Sequence, residues 1–375
     1  MVAIKKKYIL VCFSFLIILF SCQFEKIKSD NKNEENTKIN FAKGFQIEDQ
    51  NEIQKIIIKS PYQNSEEVFE YLLSRNKNLK KELRIPISRI VVTSTTHIPM
   101  IELLNEENSI VGFPNVSYIS SQKTRQRVEQ GFIKEIGKEN LLNTEVLLNL
   151  QPDLVLGYSV STADKSLEII KKSGIPVIYN GDWLEETPLG RAEWIRFFGV
   201  LYDKQKMADS IFKTIETAYL EVKQLALKTS EKPTILSGAV MSKDIWNLPA
   251  GESFVAQFLA DANLDYLWKN SKGKGSLSLS FESVFERAKE ADFWIAPGHF
   301  SSKTEMLEHN KLYAEFKAFK KDNIYTSTLK KGKTGGVIYY ELAPTRPDLV
   351  LKDLIKIAHP ELLPNYELTF FEKMN

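Results

Sequence analysis

The chain has 375 residues, with 50 Lys and Arg against 48 Asp and Glu, which gives a formal net charge of +2. A charge balance this close to neutral argues against nucleic-acid binding, which needs a concentrated basic surface. The length left after the N-terminal region, about 350 residues, is enough for two or three domains.

Residues 1–21 have the composition of a secretory signal. A short basic segment precedes an apolar run, residues 8–20, which contains a single serine, and Ser21 and Cys22 follow it. The run is shorter than the ~20 residues that cross a bilayer as a helix. A cysteine directly after a small residue resembles the bacterial lipobox, which predicts Cys22 as the lipid-modified first residue of the mature protein. The alternative is an ordinary signal peptide with an incidental cysteine.

Residues 22–38 are rich in Lys, Glu, Asn and Ser, and we expect them to form a disordered tether. The sequence contains two cysteines: Cys12 lies inside the signal, and Cys22 is the predicted lipidation site. The mature protein is therefore expected to have neither a disulfide nor thiol chemistry.

Residues 39–85 contain short apolar runs separated by polar turns, a pattern that predicts a small β-rich appendage. The sequence assigns it no function, and we expect it to pack beside the first lobe.

Apolar strands and amphipathic helices alternate in residues 86–182, which predicts a parallel, doubly wound sheet. In such sheets the ligand lies beyond the carboxyl ends of the strands. This rule places His97, Tyr158 and Trp183 beside a cleft.

Residues 183–230 are predicted to form one linker helix. Thr187 supplies an N-cap, apolar side chains then recur at helical spacing, and nothing forces a stop before Pro233. A helix of roughly 40 residues would be about 60 Å long, which suits a strut between two lobes. Two shorter helices, broken near Gly199 or Asp203, are the alternative.

Residues 231–375 repeat the alternation of strands and helices and form a second lobe. The same rule places Trp246, Asn247, His299 and Tyr339 on the opposite wall of the cleft. The predicted fold is α/β, with two doubly wound parallel-sheet lobes bridged by a single long α-helix and a small N-terminal β appendage.

Motifs of enzyme chemistry are missing from the sequence. There is no HExxH, no Cys/His spacing of a zinc site, no GxSxG elbow and no GxGxxG. The basic loop 330–336 lacks the first glycine of a phosphate loop. His97 and His299 both follow strands and can meet across the cleft, but hydrogen-bonded cleft histidines are the preferred interpretation. We therefore predict no enzyme, no catalytic residues, no resident metal and no cofactor.

The inferred cleft is rich in aromatic rings and has a few cations. Such walls suit a large, partly apolar ligand that is held by stacking and oriented by polar groups. The predicted ligand-contact residues are His97, Tyr158, Trp183, Arg191, Trp246, His299 and Tyr339.

Four segments occur in a fixed order, with the long helix between the second and third: RIVVTSTTH (89–97), TEVLLNLQPDLVLGY (144–158), AGESFVAQFLADAN (250–263) and SFESVFERAKEADFWIA (280–296). Their order and spacing resemble the bacterial substrate-binding proteins of ABC importers for iron-siderophores and cobalamin. The resemblance implies two Rossmann-like lobes joined by one rigid helix, with the ligand held between them.

In that family an acidic residue on each lobe docks with arginines of the permease. The resemblance places Glu145 at this position in the first lobe, where a carboxylate at a helix N-terminus also stabilises the helix dipole. In the second lobe the position falls on Gln257, which departs from the family pattern, and Glu252 is the nearest substitute.

The sequence thus predicts a monomeric, lipid-anchored solute-binding protein of the bacterial cell envelope that faces the periplasm or the exterior. It captures a metal chelate (an iron-siderophore, cobalamin or haem) and delivers it to an ABC permease. One alternative is a protein that binds a free transition-metal ion for a metal importer, which would need three or more clustered His, Asp or Glu ligands. A second alternative is an envelope protein that acts with an outer-membrane receptor. A metal-cluster enzyme would need cysteines that the mature chain lacks.

Overall fold

The computed structural model describes residues 38–50, 53–63, 65–76, 82–138, 141–158, 165–241 and 245–375. The predicted signal, Cys22 and all but the last residue of the predicted tether lie outside the described residues. Across the described ranges, no helix combines the length and the apolar character needed to cross a bilayer.

The N-terminal appendage is β-rich, as predicted, and forms a four-stranded sheet with the strand order β1-β2-β3-β4. Its strands are β1 (Phe45–Gln50), β2 (Ile53–Lys59), β3 (Val68–Ser74) and β4 (Leu83–Arg84). The first three are antiparallel, and β4 runs parallel to β3. In β2, Ile56 and Ile58 are fully buried, and this alternation fixes which face of the sheet meets the core.

The first lobe is built on a five-stranded parallel sheet with the order β11-β10-β5-β6-β7. Its strands, with the separate antiparallel pair β8 and β9, are β5 (Ile90–Val92), β6 (Ile110–Phe113), β7 (Lys134–Glu135), β8 (Gly137–Lys138), β9 (Leu141–Leu142), β10 (Leu154–Gly157) and β11 (Val177–Tyr179). Its helices are α1 (His97–Leu103), α2 (Gln122–Glu129), α3 (Thr144–Leu150) and α4 (Lys165–Lys172). Every residue of β5, β6, β10 and β11 is buried, as expected for strands covered on both faces.

The chain segment between the two lobes forms three helices: α5 (Pro188–Glu193), α6 (Ile195–Leu201) and α7 (Gln205–Ala226). The predicted length of roughly 40 residues for one helix is therefore wrong. The chain turns at Asp203, which adopts a left-handed φ of 56°. Helix α6 packs back against α7, and a Cβ at Gly199 would lie 2.6 Å from the Cβ of Ala208. The helix is therefore broken near Asp203, as in the alternative prediction of two shorter helices.

Helix α7 alone is the bridge. Near its start, Ala208, Phe212 and Ile215 belong to the core of the first lobe. Nearer its end, Tyr219 and Val222 belong to the core of the second. At 22 residues the helix is about 33 Å long. The structure confirms two lobes joined by one helix and corrects the length of that helix.

The second lobe has a five-stranded sheet with the order β15-β12-β17-β18-β19, in which only β19 is antiparallel, and a three-stranded antiparallel sheet with the order β13-β14-β16. Its strands are β12 (Thr234–Ser237), β13 (Ala239–Val240), β14 (Ile245–Pro249), β15 (Asp265–Tyr266), β16 (Ser276–Ser280), β17 (Phe293–Ile295), β18 (Ile324–Thr326) and β19 (Glu372–Lys373). Its helices are α8 (Phe254–Asp261), α9 (Phe281–Ala288), α10 (Lys303–His309), α11 (Lys317–Lys320), α12 (Ile338–Leu342) and α13 (Pro347–Ala358).

The two lobes also touch directly at a contact that we call the seam, formed by residues 117–121 and 332–341. The carboxylate of Glu341 is buried and accepts hydrogen bonds from the backbone N–H groups of Ser120 (2.7 Å) and Ser121 (2.8 Å). A Cβ at Gly336 would lie 2.2 Å from the carbonyl oxygen of Tyr118, so only glycine permits this approach. Burial raises the pKa of Glu341 to about 7, although the two N–H donors oppose the shift.

Candidate ligand-binding site

A cavity of about 970 Å³ lies between the second lobe and the segment that follows β11. Its walls come from three parts of the chain: the loop after β2, the segment from Trp183 to Arg191, and the second lobe. The second-lobe wall includes residues at or just beyond the carboxyl ends of β12, β17 and β18. This is the position that the topology of a parallel sheet predicts for a ligand.

Arg191 is the cation of the cavity wall. Its guanidinium lies 3.6 Å from the centre of the Phe254 ring, a cation–π contact between α5 and α8. Within the described residues its hydrogen bonds go to two carbonyl oxygens, from Nη2 to Trp183 (2.5 Å) and from Nε to Glu185 (3.4 Å). Burial lowers the pKa of Arg191, and the nearby charge of Asp182 opposes this shift. The guanidinium therefore faces the cavity without a carboxylate paired to it in the described residues.

Tyr339 stands on the second-lobe side of the same cavity. Its ring centre lies 5.8 Å from that of Phe370 and 5.7 Å from that of Phe371, both in edge-on contacts. Burial raises the pKa of Tyr339 to about 12, while the charge of Arg191 opposes the shift. The phenol is therefore neutral at physiological pH and offers a ring face and an O–H group.

A three-residue ion-pair group closes part of the cavity rim. Glu186 accepts hydrogen bonds from Lys274 of the second lobe and from Lys43 of the N-terminal segment, the latter at 3.0 Å. Burial raises the pKa of Glu186, but the two lysines outweigh it and the net pKa is lowered. The carboxylate is therefore ionised at neutral pH and links two walls of the cavity.

The sequence model of the periplasmic binding protein family matches residues 90–329, well over half of the chain. This chain belongs to the periplasmic binding proteins. An uncharacterized lipoprotein of Methanocaldococcus jannaschii is 28% identical over 302 residues, which cover 79% of this chain and 70% of the relative.

Solved structures share the fold of this periplasmic binding protein. A Staphylococcus epidermidis structure, described as a "possible" iron-binding, periplasmic solute-binding protein, has a TM-score of 0.59 at 22% identity and covers 73% of this chain and 99% of its own. A periplasmic heme-binding protein from Pseudomonas aeruginosa has a TM-score of 0.57 at 15% identity and covers 77% of this chain and 98% of its own. At these identities the likeness establishes the fold alone.

Three of the residues named from the sequence, Trp183, Arg191 and Tyr339, line the same cavity of this periplasmic binding protein. Each was placed there by the rule on strand ends or by its position at the start of the linker. The indole N–H of Trp183 is buried and has no hydrogen-bond partner among the described residues. The three residues bring two ring faces and a cation to one space.

Trp246 lies elsewhere than expected. It is fully buried in the second-lobe core, where its ring stacks on Trp294 at 5.0 Å and on Phe316 at 5.8 Å between ring centres. Side chains alternate along β14, so Trp246 points into the core and its neighbour Asn247 lines the cavity. The alternation of side chains along a strand is the sequence signal that assigns Trp246 and Asn247 to opposite faces.

The two strand-end histidines do not meet. His97 is fully buried at the start of α1, with its ring centre 5.9 Å from that of Phe198 and no partner for either nitrogen among the described residues. Burial lowers its pKa to about 4, against the opposing charge of Asp182. His299 is exposed and packs on Phe300 at 4.7 Å. Neither histidine lines the cavity.

Tyr158 directly follows β10, and its N–H donates to the hydroxyl of Thr93 at 3.1 Å. It does not line the cavity as described, and residues 159–164, which follow it, lie outside the described residues. In the described parts of the chain there is no group of three His, Cys, Asp or Glu residues placed to hold a metal ion.

The two predicted docking acids have different surroundings. Glu145 is exposed in the first turn of α3, whose N-cap is Asn143. Glu252 is also exposed, but it lies at the cavity and its carboxylate accepts from the N–H of Gly273 at 3.0 Å. Lys272 adds an ion pair at 3.3 Å. The hydrogen bond from Gly273 and the pair with Lys272 lower the pKa of Glu252.

Sequence reasoning missed one wall of the cavity. Four residues of the loop after β2 line it: Ser60, Tyr62, Gln63 and Ser65. The appendage had been left without a function, and no local pattern distinguishes this loop from an ordinary polar turn. Phe254, whose ring contacts the Arg191 guanidinium, was also not predicted as a site residue, because it lies within an apolar helix pattern.

Proposed function

We propose that this periplasmic binding protein captures a negatively charged metal chelate and delivers it to an ABC importer without transforming it. The observation that carries the proposal is Arg191, a cation without a paired carboxylate in the described residues, in an aromatic cavity between the second lobe and the segment that follows β11. An iron-siderophore or haem fits this description best, and a corrinoid is a further candidate.

The physical argument rests on the cost of burying an unpaired charge. A guanidinium that leaves water needs an anion or hydrogen-bond acceptors to offset its lost hydration, and carboxylates match its planar donor fork. Ligand carboxylates or phenolates would supply that partner. The rings of Trp183 and Tyr339 would stack on the flat parts of the chelate. We take these three residues as the ligand contacts and leave out His97, Tyr158, Trp246 and His299.

The size of the cavity supports a large ligand. Small-molecule pockets span roughly 300–1,000 Å³, and about 970 Å³ lies at the upper end of that range. The P. aeruginosa neighbour is named for heme binding, and haem combines a flat aromatic ring with carboxylate side groups. A bare metal ion would use little of this space.

Attachment and delivery complete the proposal. Cys22 would carry the lipid that holds the protein at the cell envelope, in keeping with the lipoprotein name of one relative. Exposed Glu145 and Glu252 would meet arginines of the permease, one from each lobe. In uptake assays, Glu145→Lys should abolish transport and leave ligand affinity unchanged, and normal uptake would remove Glu145 from the docking surface.

Quenching of tryptophan fluorescence tests the function directly. Residues 23–375 would be titrated with haemin, ferric enterobactin, ferrioxamine B, cyanocobalamin, Zn²⁺ and Mn²⁺, with absorbance controls. Saturable binding of haemin or ferric enterobactin, the anionic chelates of the panel, at micromolar concentration or below is the expected result. Binding of Zn²⁺ or Mn²⁺ alone would contradict the proposal and favour a carrier of free metal ions.

A further inference from the structure

The N-terminal appendage contributes a wall to the cavity although it precedes the region matched by the family, residues 90–329. The loop between β2 and β3, described at residues 60–63 and 65–67 and hereafter called the appendage loop, places four residues on the cavity surface. Both lobes of the matched region have sheets of their own, and the appendage packs on the core of the first lobe. The loop is therefore an addition to the binding site, and its position needs an explanation.

Internal hydrogen bonds link the described residues of the appendage loop to one another. The Tyr62 hydroxyl donates to the Glu67 carboxylate at 2.6 Å, and the Ser60 N–H donates to the Glu67 carbonyl at 3.0 Å. The Ser65 hydroxyl accepts from the Glu67 N–H at 3.1 Å. Tyr62 is 8% exposed, so its ring is fixed by packing. A loop held in this way is preorganised and loses little entropy when a ligand binds.

Two buried carboxylates fix the chain that leads into the appendage. Glu193 accepts from the backbone N–H groups of residues 40–42 and Glu185 from those of residues 43–44, at 2.6–3.1 Å. Glu185 also accepts from the Trp194 indole at 2.9 Å, and it lines the cavity. Burial raises the pKa of Glu185, although these donors oppose the shift. These hydrogen bonds attach the start of the appendage to the segment that forms one wall of the cavity.

A second attachment lies at the edge of the first-lobe sheet. The ring of Phe69 in β3 stacks on that of Tyr179 in β11 at 5.6 Å between centres, and the Tyr71 hydroxyl accepts from the Tyr179 N–H at 3.3 Å. Strand β11 is the edge strand of its sheet. The appendage sheet thus sits beside the strand whose carboxyl end leads into Trp183 and Arg191, which positions the loop over the cavity.

We infer that the appendage loop contacts the ligand and helps to decide which chelate the cavity accepts, with Gln63 as the main contact. This inference rests on the proposed function. The Gln63 side chain is exposed, lines the cavity and offers a neutral donor and acceptor. It therefore complements the charge of Arg191 and suits the amide, hydroxyl or carbonyl groups at the periphery of a chelate.

The test uses Gln63→Ala, Gln63→Trp and the control Glu66→Ala, each within residues 23–375 and titrated with haemin, ferric enterobactin, ferrioxamine B and cyanocobalamin. Glu66 is exposed on the same loop and does not line the cavity. We expect Gln63→Ala to weaken the preferred chelate by about fivefold, the effect of one hydrogen bond. Gln63→Trp should weaken it roughly tenfold or more and change the ranking of the chelates, because the ring fills part of the space. Glu66→Ala should stay within about twofold of the wild type.

The outcomes separate the two claims. If the wild-type protein binds one chelate and both Gln63 variants match it within about twofold, the appendage loop is not part of the site and the proposed function stands. If the wild-type protein binds none of the four chelates, the proposed function fails and the inference fails with it. Equal melting temperatures of all variants would show that the changes act on binding.

Discussion

The second lobe faces the rest of the chain at two places, the seam and the cavity, and these are built in different ways. At the seam the lobes touch, and a buried carboxylate, Glu341, receives the N–H groups of Ser120 and Ser121. At the cavity, among the described residues, Arg191 donates to two carbonyl oxygens but has no paired carboxylate, and the Trp183 indole N–H has no hydrogen-bond partner. The paired groups fix the geometry of the seam, and under our proposal Arg191 and the Trp183 indole N–H are left for the ligand.

This comparison implies that the seam stabilises the fold and that the cavity binds the ligand. Changes at the cavity should alter affinity more than stability, and changes at the seam should do the reverse. Helix α7 supports both regions because it is anchored in both cores. The experiments below test this difference, from the largest expected effect to the smallest.

Replacing Arg191 by Met should give the largest effect on affinity. Methionine keeps an unbranched chain against Phe254 and removes the charge, so the affinity for the preferred chelate should fall by roughly 10- to 100-fold, the value of a hydrogen bond to a charged group. Fluorescence titration measures the change. Arg287→Met is the matched control, because Arg287 makes a similar contact with Trp268, at 5.3 Å, outside the cavity. Equal affinities for both variants would remove Arg191 from the site.

Replacing Glu341 by Ala should give the largest effect on stability. The substitution leaves two N–H groups at the seam without their acceptor, which costs about 1–3 kcal/mol. Urea unfolding at pH 6 measures the loss, and the affinity should change less than it does in Arg191→Met. Glu315→Ala serves as the control, since Glu315 is exposed and pairs with Lys320 at the surface. A stability equal to that of the control would show that the seam does not fix the lobes.

Glu341 should also make stability depend on pH. Because its pKa is raised to about 7 from an ordinary 4.5, the folded protein holds this proton more tightly than the unfolded chain does. The contribution is fully present below about pH 4.5 and is lost as the pH rises through 7, a loss of about 1–3 kcal/mol. Glu341→Gln cannot titrate, so the difference in unfolding free energy between pH 5 and pH 8 should shrink by this amount. An identical pH dependence in both proteins would show that Glu341 ionises normally.

The cavity rim should give the smallest effect. Glu186 pairs with Lys43 and Lys274, whose side chains are 71% and 60% exposed, and ion pairs of this kind contribute about 0–1 kcal/mol. Glu186→Gln should therefore change stability by less than about 1 kcal/mol and speed ligand release a few fold, as measured by stopped-flow fluorescence. Asp265→Asn, in an exposed pair with Lys269, is the control. Release accelerated by orders of magnitude would make the rim part of the binding site.

Much of the fold could be predicted because its signals are local. Strands such as β5 and β10 are short, wholly apolar runs, and the caps Ser253 and Ser280 mark the starts of α8 and α9. The break in the linker was predicted only as the alternative because Asp203 carries a weak local signal. What fixes that break is the packing of α6 on α7, which brings Gly199 against Ala208.

The site was predicted only in part because much of it depends on long-range contacts. Trp183 and Arg191 could be predicted because both lie on the segment that follows β11 in the chain. The appendage loop reaches the cavity through bonds such as that from Phe41 to Glu193, which are 152 residues apart, and no sequence pattern records such a pairing. Trp246 was placed wrongly because an aromatic residue in a strand fits either face until the register is known.

The structure of the protein in complex with its tightest-binding chelate tests the central claim most directly. The account predicts that the chelate lies between Trp183 and Tyr339, with an anionic group within hydrogen-bond distance of the Arg191 guanidinium and the seam unchanged. A chelate bound outside the cavity, or one whose anionic groups point away from Arg191, would contradict it.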